Sequence, residues 1–324
     1  MKKIALKVLD ALFLCRLLLL IPVWTVIVLG WITSSSTAVP GGLFVSGLLD
    51  RDLWLSLFFF SGIVSSIYIV NQICDVESDR LNNKLFILPR QLISIPTAWF
   101  LASISAIIGM AGAFVFFDII MTLIFASGLL VGVLYNLKPF SLKDRAWGGM
   151  IANLLGHGVI TYLVGWYGAK DGSVTAQHLL HGVLVSLSAG FANAAVYLTT
   201  TIPDAEGDGR VGKKTFAVLY GVKVTSGVAM LLCLLSFIAA FFLEYNSWVM
   251  TAPALLSFFL FLRFFIRHDK TLAFQTFRWP VVLLSTFVVA FIPLYAVLLL
   301  VNIFATKIYY KKRFNYDYPR FSGE

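Results

Sequence analysis

The sequence predicts an all-α, polytopic membrane protein with about nine transmembrane helices. Three features of its 324 residues lead to this fold class: 59% are hydrophobic, only 13% are charged, and the mean hydropathy is +0.88. A soluble domain carries about 25% charged residues and hides its apolar side chains in a single core. So much apolar surface requires the bilayer as its solvent. We expect one membrane domain over residues 1–324, with a short basic tail over 305–324.

Nine segments are long and apolar enough to cross a bilayer, which takes about 20 residues per helix. The first is long and has no small-residue cleavage site, so we interpret it as a retained helix and not as a signal peptide. A tight turn at Asp118 divides the third segment from the fourth, and Pro293 predicts a kink in the last. The predicted spans are residues 16–34, 53–73, 96–117, 119–136, 148–168, 178–201, 224–243, 247–266 and 279–304.

Basic residues cluster in alternate loops between these spans. The loops after the second, fourth, sixth and eighth spans are rich in Lys and Arg, whereas the other loops hold only Arg51 and Lys170. The positive-inside rule therefore places the amino terminus in the cytoplasm. Nine spans would leave the basic tail outside, so either the tail is tolerated there or the number of spans differs by one. The basic loops are Arg80, Lys84 and Arg90; Lys138, Lys143 and Arg145; Arg210, Lys213, Lys214 and Lys223; and Arg267, Lys270 and Arg278.

Charge and cysteine content argue against two other classes of protein. The net charge of +9 lies in the loops between spans, where it is a topology signal, so we expect no nucleic acid as a partner. Cys15, Cys74 and Cys233 are far apart in sequence and show neither a disulfide framework nor a zinc-binding spacing.

The end of the second span carries a first acidic motif. Asn71, Asp75 and Asp79 follow one another at intervals of four residues. On a helix, this spacing puts three oxygen ligands on one face, with Glu77 turned away. Magnesium prefers one or two carboxylates together with water and substrate phosphates. A solvated helix end that happens to be acidic is the alternative, although acidic residues beside a span are costly, which favours a function.

A second acidic motif follows the sixth span, on the same predicted side of the membrane. Asp204 and Asp208 are again four residues apart. Pro203 and the glycines around it predict that no long regular helix runs through residues 202–215. A polar loop explains the glycines but not the recurring spacing. Two facing acidic pairs would instead hold a diphosphate through magnesium and stabilise its departure.

Basic side chains are candidates for stabilising the charge of a departing diphosphate. Each has the alternative that it only marks the cytoplasmic side. Arg16, at the start of the first span, either snorkels to the interface or points into the site. The candidates are Arg16, Lys138, Lys143, Arg145, Arg210, Lys213 and Lys214.

Polar residues within the spans are candidates for contact with a second substrate. Asn193 and Tyr197 are four residues apart and share a helix face. Asn153 and His157 lie in the fifth span. His157 would suit a general base, although a lone histidine in a glycine-rich span more often serves packing or hydrogen bonding.

Together, the two acidic motifs resemble the aspartate-rich motifs of the UbiA-type intramembrane prenyltransferases. The resemblance covers most of the chain, including the four-span separation of the motifs. The segment from Tyr135 to Lys138 is similar to the tyrosine–lysine segment of that family, and residues 212–221 are similar to the stretch after its second motif. Some members carry an asparagine or a further aspartate where this chain has Gln72, a departure that weakens any transfer of the acceptor assignment.

The resemblance implies a bundle around a central cavity that is capped on the cytoplasmic side. It also implies a magnesium-dependent transfer of a prenyl group from an allylic diphosphate to a lipophilic, often aromatic, acceptor. Lys138 and Tyr135 would contact the substrate, with Lys138, Asp75 and Asp208 as the catalytic residues. The magnesium ligands would be Asn71, Asp75, Asp79, Asp204 and Asp208.

Two other functions remain open from the sequence. A terpene cyclase on the same scaffold would ionise the same diphosphate without a second substrate. A transporter would also combine helical repeats with polar residues, but it would place them at the midplane of the membrane. We expect a multi-pass protein of the cell membrane, in contact with membrane lipid and with its active site on the cytoplasmic side.

Overall fold

The computed structural model describes residues 2–35, 50–81, 86–169 and 175–319, and it is built from helices that pack into one bundle. The described part contains no β-strand, only one isolated bridge between Arg145 and Lys214. The helices are α1 Lys2–Leu14, α2 Leu17–Ser34, α3 Arg51–Cys74, α4 Val76–Leu81, α5 Ile95–Phe116, α6 Ile119–Asn136, α7 Ala146–Asn153, α8 Thr161–Gly168, α9 Ala176–Arg210, α10 Phe216–Ala240, α11 Trp248–Arg267, α12 Lys270–Phe291 and α13 Pro293–Phe314.

Within the described residues, ten helical segments are long and apolar enough to cross a membrane. Eight of the nine predicted spans each have one counterpart among these ten segments. The protein is therefore a multi-pass membrane protein. The ninth prediction, over 279–304, merged two helices. Ile292 leaves the helical conformation because the proline that follows it disfavours the α region. Pro293 then begins α13, so the kink predicted there is confirmed as a complete break.

The tenth of these membrane-length segments, α13, brings residues near the carboxyl end of the chain close to α1. The guanidinium of Arg313 donates two hydrogen bonds to the carboxylate of Asp10, at 3.0 and 2.9 Å. This removes the conflict over the basic tail, because an even number of crossings ends on the side where the chain began. Residues 305–314, expected to belong to the tail, continue α13. Lys84, Lys170 and Arg320 lie outside the described residues.

The tight turn predicted at Asp118 is confirmed. The carboxylate of Asp118 accepts a hydrogen bond from the amide of Met121 and so caps the first turn of α6. Only Phe117 and Asp118 lie between α5 and α6. The two helices therefore form an antiparallel hairpin with almost no loop.

The second acidic motif is helical, and the prediction of a broken helix there is wrong. The 35-residue helix α9 runs from Ala176 through Pro203 to Arg210. A proline inside a helix removes one amide donor and crowds the carbonyl of the residue four positions earlier, yet α9 continues through Pro203 to Arg210. The left-handed Gly212, with φ of 76°, follows the end of the helix. The aspartates of the second motif thus project from a helical extension of a membrane helix.

Close helix contacts hold the centre of the bundle. A Cβ at Gly165 would collide with the carbonyl oxygen of Ile27, and one at Gly30 with that of Tyr162. Helices α2 and α8 therefore approach backbone to backbone. Small residues at a crossing permit this in membrane proteins, where packing replaces the hydrophobic driving force.

Candidate functional site

Both acidic motifs line the same cavity, of about 640 Å³, at one end of the bundle. Asp75 caps the end of α3, and Asp79 lies one turn later in α4. The amide of Asp75 donates to the carbonyl of Asn71, and the amide of Asp79 donates to the carbonyl of Asp75. The four-residue spacing thus survives the junction between the two helices. The aspartates in this first cavity are Asp75, Asp79, Asp204 and Asp208.

Lys213 connects the two motifs. Its Nζ lies 3.5 Å from Oδ1 of Asp75 and 3.7 Å from Oδ1 of Asp208. The sum of these distances is the upper limit to the separation of the two carboxylate oxygens. Lys213 is held by its own backbone, because its amide donates to the carbonyl of Asp208 at 3.0 Å. The two motifs converge on one point and are close enough to share a ligand.

The charge of Lys213 is stabilised by its surroundings. Burial alone would lower the pKa of this ammonium group, but the carboxylates of Asp75, Asp208 and Asp144 outweigh it, so the pKa lies above its usual value of 10.5. Lys213 is therefore a permanent cation between the two motifs at physiological pH.

Lys143 is the second lysine of the site. It lies in a short 3₁₀ turn after α6, is only 8% exposed, and places Nζ 2.7 Å from Oδ2 of Asp75. The loop that carries it is joined to the loop after α9, because the amide of Lys214 donates to the carbonyl of Asp144 at 2.9 Å. This backbone contact positions Lys143 and Lys213 on either side of Asp75.

Three of the predicted basic residues are not brought to the carboxylates of the first cavity. Lys138 is exposed, and the described residues include no ion pair of its ammonium group. Arg145 donates to the carbonyl of Pro139. Arg210 forms an exposed ion pair with Glu206, in which both side chains are about three-quarters exposed. Around this cavity the structure puts Lys143 and Lys213 where the sequence favoured Lys138.

Arg16 does reach the site. It lies between α1 and α2 in the left-handed conformation, with φ of 54°, which is uncommon for a residue with a side chain. Its side chain lines both the first cavity and a second cavity of about 140 Å³. Among the described residues, its buried Nε has no hydrogen-bond partner. Such a donor is suited to an anionic ligand.

Asn71 faces the second cavity and does not line the first. Its Nδ2 donates to Oδ1 of Asn136 at 2.8 Å. The structure thus separates Asn71 from the four aspartates with which the sequence grouped it. The amide oxygen remains the atom with which it would approach a ligand from the membrane side.

A third, mostly apolar cavity of about 400 Å³ extends between the membrane helices. Leu19 lines both the first and the third cavity, so the two adjoin. Asn193 and Tyr197, which the sequence placed on one face, both line this chamber. His157 projects from a π-helical stretch, residues 154–160, and π-bulges are frequent at functional sites. The polar residues of the third cavity are Thr25, Tyr68, Tyr135, Asn153, His157, Asn193, Tyr197 and Thr200.

Aromatic residues that were not among the predicted site residues also line the first cavity. Tyr310, Tyr316 and Tyr318 come from the end of the chain, and Phe86 comes from the segment after α4. No spacing rule connects them with the acidic motifs. The only sequence feature that could have indicated them is the close spacing of the tyrosines within residues 305–324, which were predicted as a basic tail.

The donor set of the first cavity fits magnesium. The acidic side chains that line this cavity are four aspartates, and their carboxylates are the hard oxygen donors that magnesium prefers. Among the described residues, no three His, Cys, Asp or Glu side chains lie close enough to form a metal cage from protein alone. Carboxylates arranged in separated pairs suit an ion that takes its remaining ligands from water and substrate phosphates.

Comparison with known proteins finds relatives of this chain among prenyltransferases. Two curated relatives are a 2-acyl-4-prenylphloroglucinol 6-prenyltransferase of Humulus lupulus, 26% identical over 179 residues, and a probable homogentisate phytyltransferase 2 of Oryza sativa subsp. japonica, 25% identical over 194 residues. The matches cover 53% and 58% of this chain but only 42% and 51% of the relatives. The chain therefore spans about half the length of the curated relatives that it matches.

Solved structures resemble the fold over most of the chain. A UbiA homologue from Archaeoglobus fulgidus, bound to GPP and Mg²⁺, has a TM-score of 0.67 at 17% identity and covers 89% of this chain and 99% of its own. A homologue from Aeropyrum pernix K1 has a TM-score of 0.66 at 15% identity, over 86% and 98% of the two chains. A sequence model described as the UbiA prenyltransferase family matches residues 34–286. The chain belongs to the UbiA prenyltransferase family.

Proposed function

We propose that the protein is a magnesium-dependent intramembrane prenyltransferase, which moves a prenyl group from an allylic diphosphate to a lipophilic acceptor. The observation that carries this proposal is the position of Lys213, within 4 Å of a carboxylate of each acidic motif. Two acidic motifs that share one cation can also share one diphosphate. The family and the ligands named for the Archaeoglobus fulgidus homologue support the same substrate class.

In the proposed complex, the diphosphate lies in the first cavity between the two motifs. Asp75, Asp79, Asp204 and Asp208 would hold it through magnesium, and Asn71 would approach from the second cavity. Magnesium, when bound, supplies positive charge that neutralises the diphosphate. Substrate phosphates would displace Lys213 from its present position between two carboxylates, and its ammonium group would then face the phosphate oxygens.

The reaction is a substitution at the allylic carbon. The carbon–oxygen bond breaks, its electron pair leaves with the diphosphate, and a carbon of the acceptor bonds to the allylic carbon and then loses a proton. Lys143, Lys213 and Arg16 stabilise the growing charge of the diphosphate more in the transition state than in the ground state. The apolar walls exclude water, which would otherwise capture the cation.

The third cavity is the proposed chamber for the acceptor and the prenyl chain. It adjoins the first cavity at Leu19 and is mostly apolar, with Tyr135, Asn193 and Tyr197 among its polar residues. A lipophilic ring fits such a surface, and the polar groups would orient it. Two curated relatives are named for phloroglucinol and homogentisate, both aromatic, which supports an aromatic acceptor.

The first cavity belongs, in this proposal, on the cytoplasmic side of the cell membrane. The predicted basic loops follow the spans whose ends carry the acidic motifs, and the positive-inside rule puts such loops in the cytoplasm. The basic end of α13 lies at the same end of the bundle. Labelling of introduced cysteines from either side of sealed vesicles would test this orientation.

The decisive experiment is a transfer assay with purified protein in lipid nanodiscs. Radiolabelled prenyl diphosphates of several lengths are incubated with Mg²⁺ and a panel of aromatic and glycerol-lipid acceptors. Transfer that requires both Mg²⁺ and an acceptor is the expected result. A cyclised hydrocarbon formed without any acceptor would identify a terpene cyclase, and uptake into proteoliposomes without chemistry would identify a transporter. Either outcome overturns the proposal.

A further inference from the structure

The carboxyl end of the chain forms part of the wall of the first cavity. Helix α13 ends at Phe314, and residues 315–319, here called the tail segment, fold back from it. Tyr316 and Tyr318 of the tail segment and Tyr310 of α13 line the cavity that contains the four aspartates. The tail segment therefore contacts the space where the proposed diphosphate lies.

A buried ion pair fixes the position of this end of the chain. Asp10 of α1 is only 1% exposed, and its carboxylate accepts two hydrogen bonds from Arg313 and one from the hydroxyl of Tyr309, at 2.7 Å. A bidentate arrangement of this kind sets orientation as well as distance. The ring of Phe13 stacks on that of Tyr309, with centroids 3.8 Å apart. The last turns of α13 are thus held in a defined place.

Aromatic contacts continue this attachment into the tail segment. The ring of Phe86 lies 5.1 Å from that of Phe314 and 5.3 Å from that of Tyr316, measured between centroids. The rings of Tyr310 and Tyr318 are 4.9 Å apart. Such ring pairs stabilise a contact beyond the effect of the area that they bury. The tail segment is packed against the cavity wall by several independent contacts.

The tail segment lies outside the part of the chain that matches the family. The family match ends at residue 286, before α13 begins. Burial raises the pKa of the Tyr318 hydroxyl, with the guanidinium of Arg16 opposing it, which puts Tyr318 in the electrostatic environment of the cavity. A segment beyond the family match therefore completes a cavity built from the family motifs.

We propose that the rings of Tyr316 and Tyr318 position the allylic diphosphate and shield its reacting carbon from water. This rests on the proposed function, because it assigns residues to the same cavity. Without the rings, water reaches the allylic carbon after the carbon–oxygen bond has broken. The diphosphate has then left with the electron pair of the broken bond. Water bonds to the allylic carbon and loses a proton, so the product is a prenyl alcohol.

The test uses full-length protein in nanodiscs, with geranyl diphosphate and Mg²⁺ as the probe and no acceptor. We measure the dissociation constant and the rate at which geraniol forms. Tyr318→Ala and a chain that ends at Phe314 should bind the probe several-fold more weakly and form several-fold more geraniol per bound molecule. Tyr318→Phe should restore both values, since the ring is retained. Tyr220→Phe is the control for Tyr318→Phe, because Tyr220 is exposed and its hydroxyl accepts a hydrogen bond from Nε1 of Trp147 outside the first cavity.

The outcomes separate the two proposals. If the parent protein binds geranyl diphosphate but Tyr318→Ala leaves both values unchanged, the role of the tail segment is refuted and the proposed function stands. If Tyr318→Phe is as defective as Tyr318→Ala, the ring is not the active feature and the proposal is equally refuted. If the parent itself does not bind the probe with Mg²⁺, the proposed function fails first. Thermal unfolding of each variant shows whether it is folded before its binding is compared.

Discussion

Nζ of Lys143 lies 2.7 Å from Oδ2 of Asp75, although 68 residues separate them along the chain. The pair joins the loop after α6 to the end of α3, and only 8% of the lysine side chain and 19% of the aspartate side chain is exposed. A contact so well shielded places a cation beside the first acidic motif before any substrate arrives.

Replacement of Lys143 should therefore impair the enzyme more than replacement of Lys138. We expect Lys143→Met to lower kcat/KM about 10²- to 10³-fold, because a donor to the leaving diphosphate is lost. It should also cost about 1–3 kcal/mol of stability, because the shorter of the two ion pairs of Asp75 is lost while Lys213 stays 3.5 Å from its other oxygen. Lys138→Met should change both values little, since Lys138 is exposed. Steady-state kinetics and thermal unfolding of the two variants decide between these lysines, and equal defects would contradict the geometry.

The second acidic motif offers an internal control for metal binding. We expect Asp208→Asn to raise the Mg²⁺ concentration needed for activity and to lower kcat/KM roughly 10²-fold, because one hard oxygen ligand loses its charge. Glu206→Gln, two residues away, should behave like the parent, since Glu206 points into solvent and pairs with Arg210. Mg²⁺ titrations at fixed prenyl diphosphate test both variants. A defect in Glu206→Gln as large as that in Asp208→Asn would show that the acidity of the segment matters and its geometry does not.

Removal of the metal should weaken binding of the prenyl diphosphate and abolish turnover. The four aspartates and the diphosphate repel one another unless cations lie between them. We expect chelation with EDTA to weaken geranyl diphosphate binding, measured by calorimetry, and added Mg²⁺ to restore it. Unchanged affinity in EDTA would show that Lys143, Lys213 and Arg16 suffice to hold the substrate.

Lys213 should not contribute to the pH dependence of activity in the ordinary range. Its pKa is raised in the folded protein, so its stabilising contribution is complete below the unfolded value of about 10.5 and is lost only as the pH rises beyond the folded value. Lys213→Arg should therefore show the same shape of pH profile as the parent between about pH 6 and pH 9. If the activity of the parent, but not that of Lys213→Arg, fell towards pH 9, Lys213 would be losing its proton in that range.

The close crossing of α2 and α8 predicts a strong effect of a single methyl group. We expect Gly165→Ala to destabilise the protein by about 1–3 kcal/mol or more, because the new Cβ meets the carbonyl oxygen of Ile27. Gly209→Ala is the matched control, since its Cβ would find its nearest neighbour, Val218, at an ordinary 3.9 Å. Thermal melting of both variants in detergent, followed by size-exclusion chromatography, makes the comparison. Equal melting temperatures would contradict the close approach of the two helices.

Most of the fold was predictable from the sequence, because each membrane helix is a local pattern. The length of each apolar segment identifies the spans. Asp118 identifies the hairpin between α5 and α6, because it caps the first turn of α6. The merged final span shows the limit of this reasoning. A hydropathy window does not register that Ile292 leaves the helix ahead of Pro293, because both neighbouring segments are equally apolar.

The candidate site was predictable in its chemistry but less so in its exact members. The repeated four-residue spacing located Asp75, Asp79, Asp204 and Asp208, which do line one cavity. Spacing does not determine which of several lysines in a folded loop reaches them, and that depends on the contact between Lys214 and Asp144. Tyr316 and Tyr318 were not predicted for a related reason. Their position beside the first cavity depends on the tertiary contact of Asp10 with Arg313.

That contact between Asp10 and Arg313 also joins α1 to α13, although 303 residues separate the two side chains. Loss of the guanidinium would leave the carboxylate of Asp10 buried without its cation, and the attachment of α13 beside the first cavity would weaken with it.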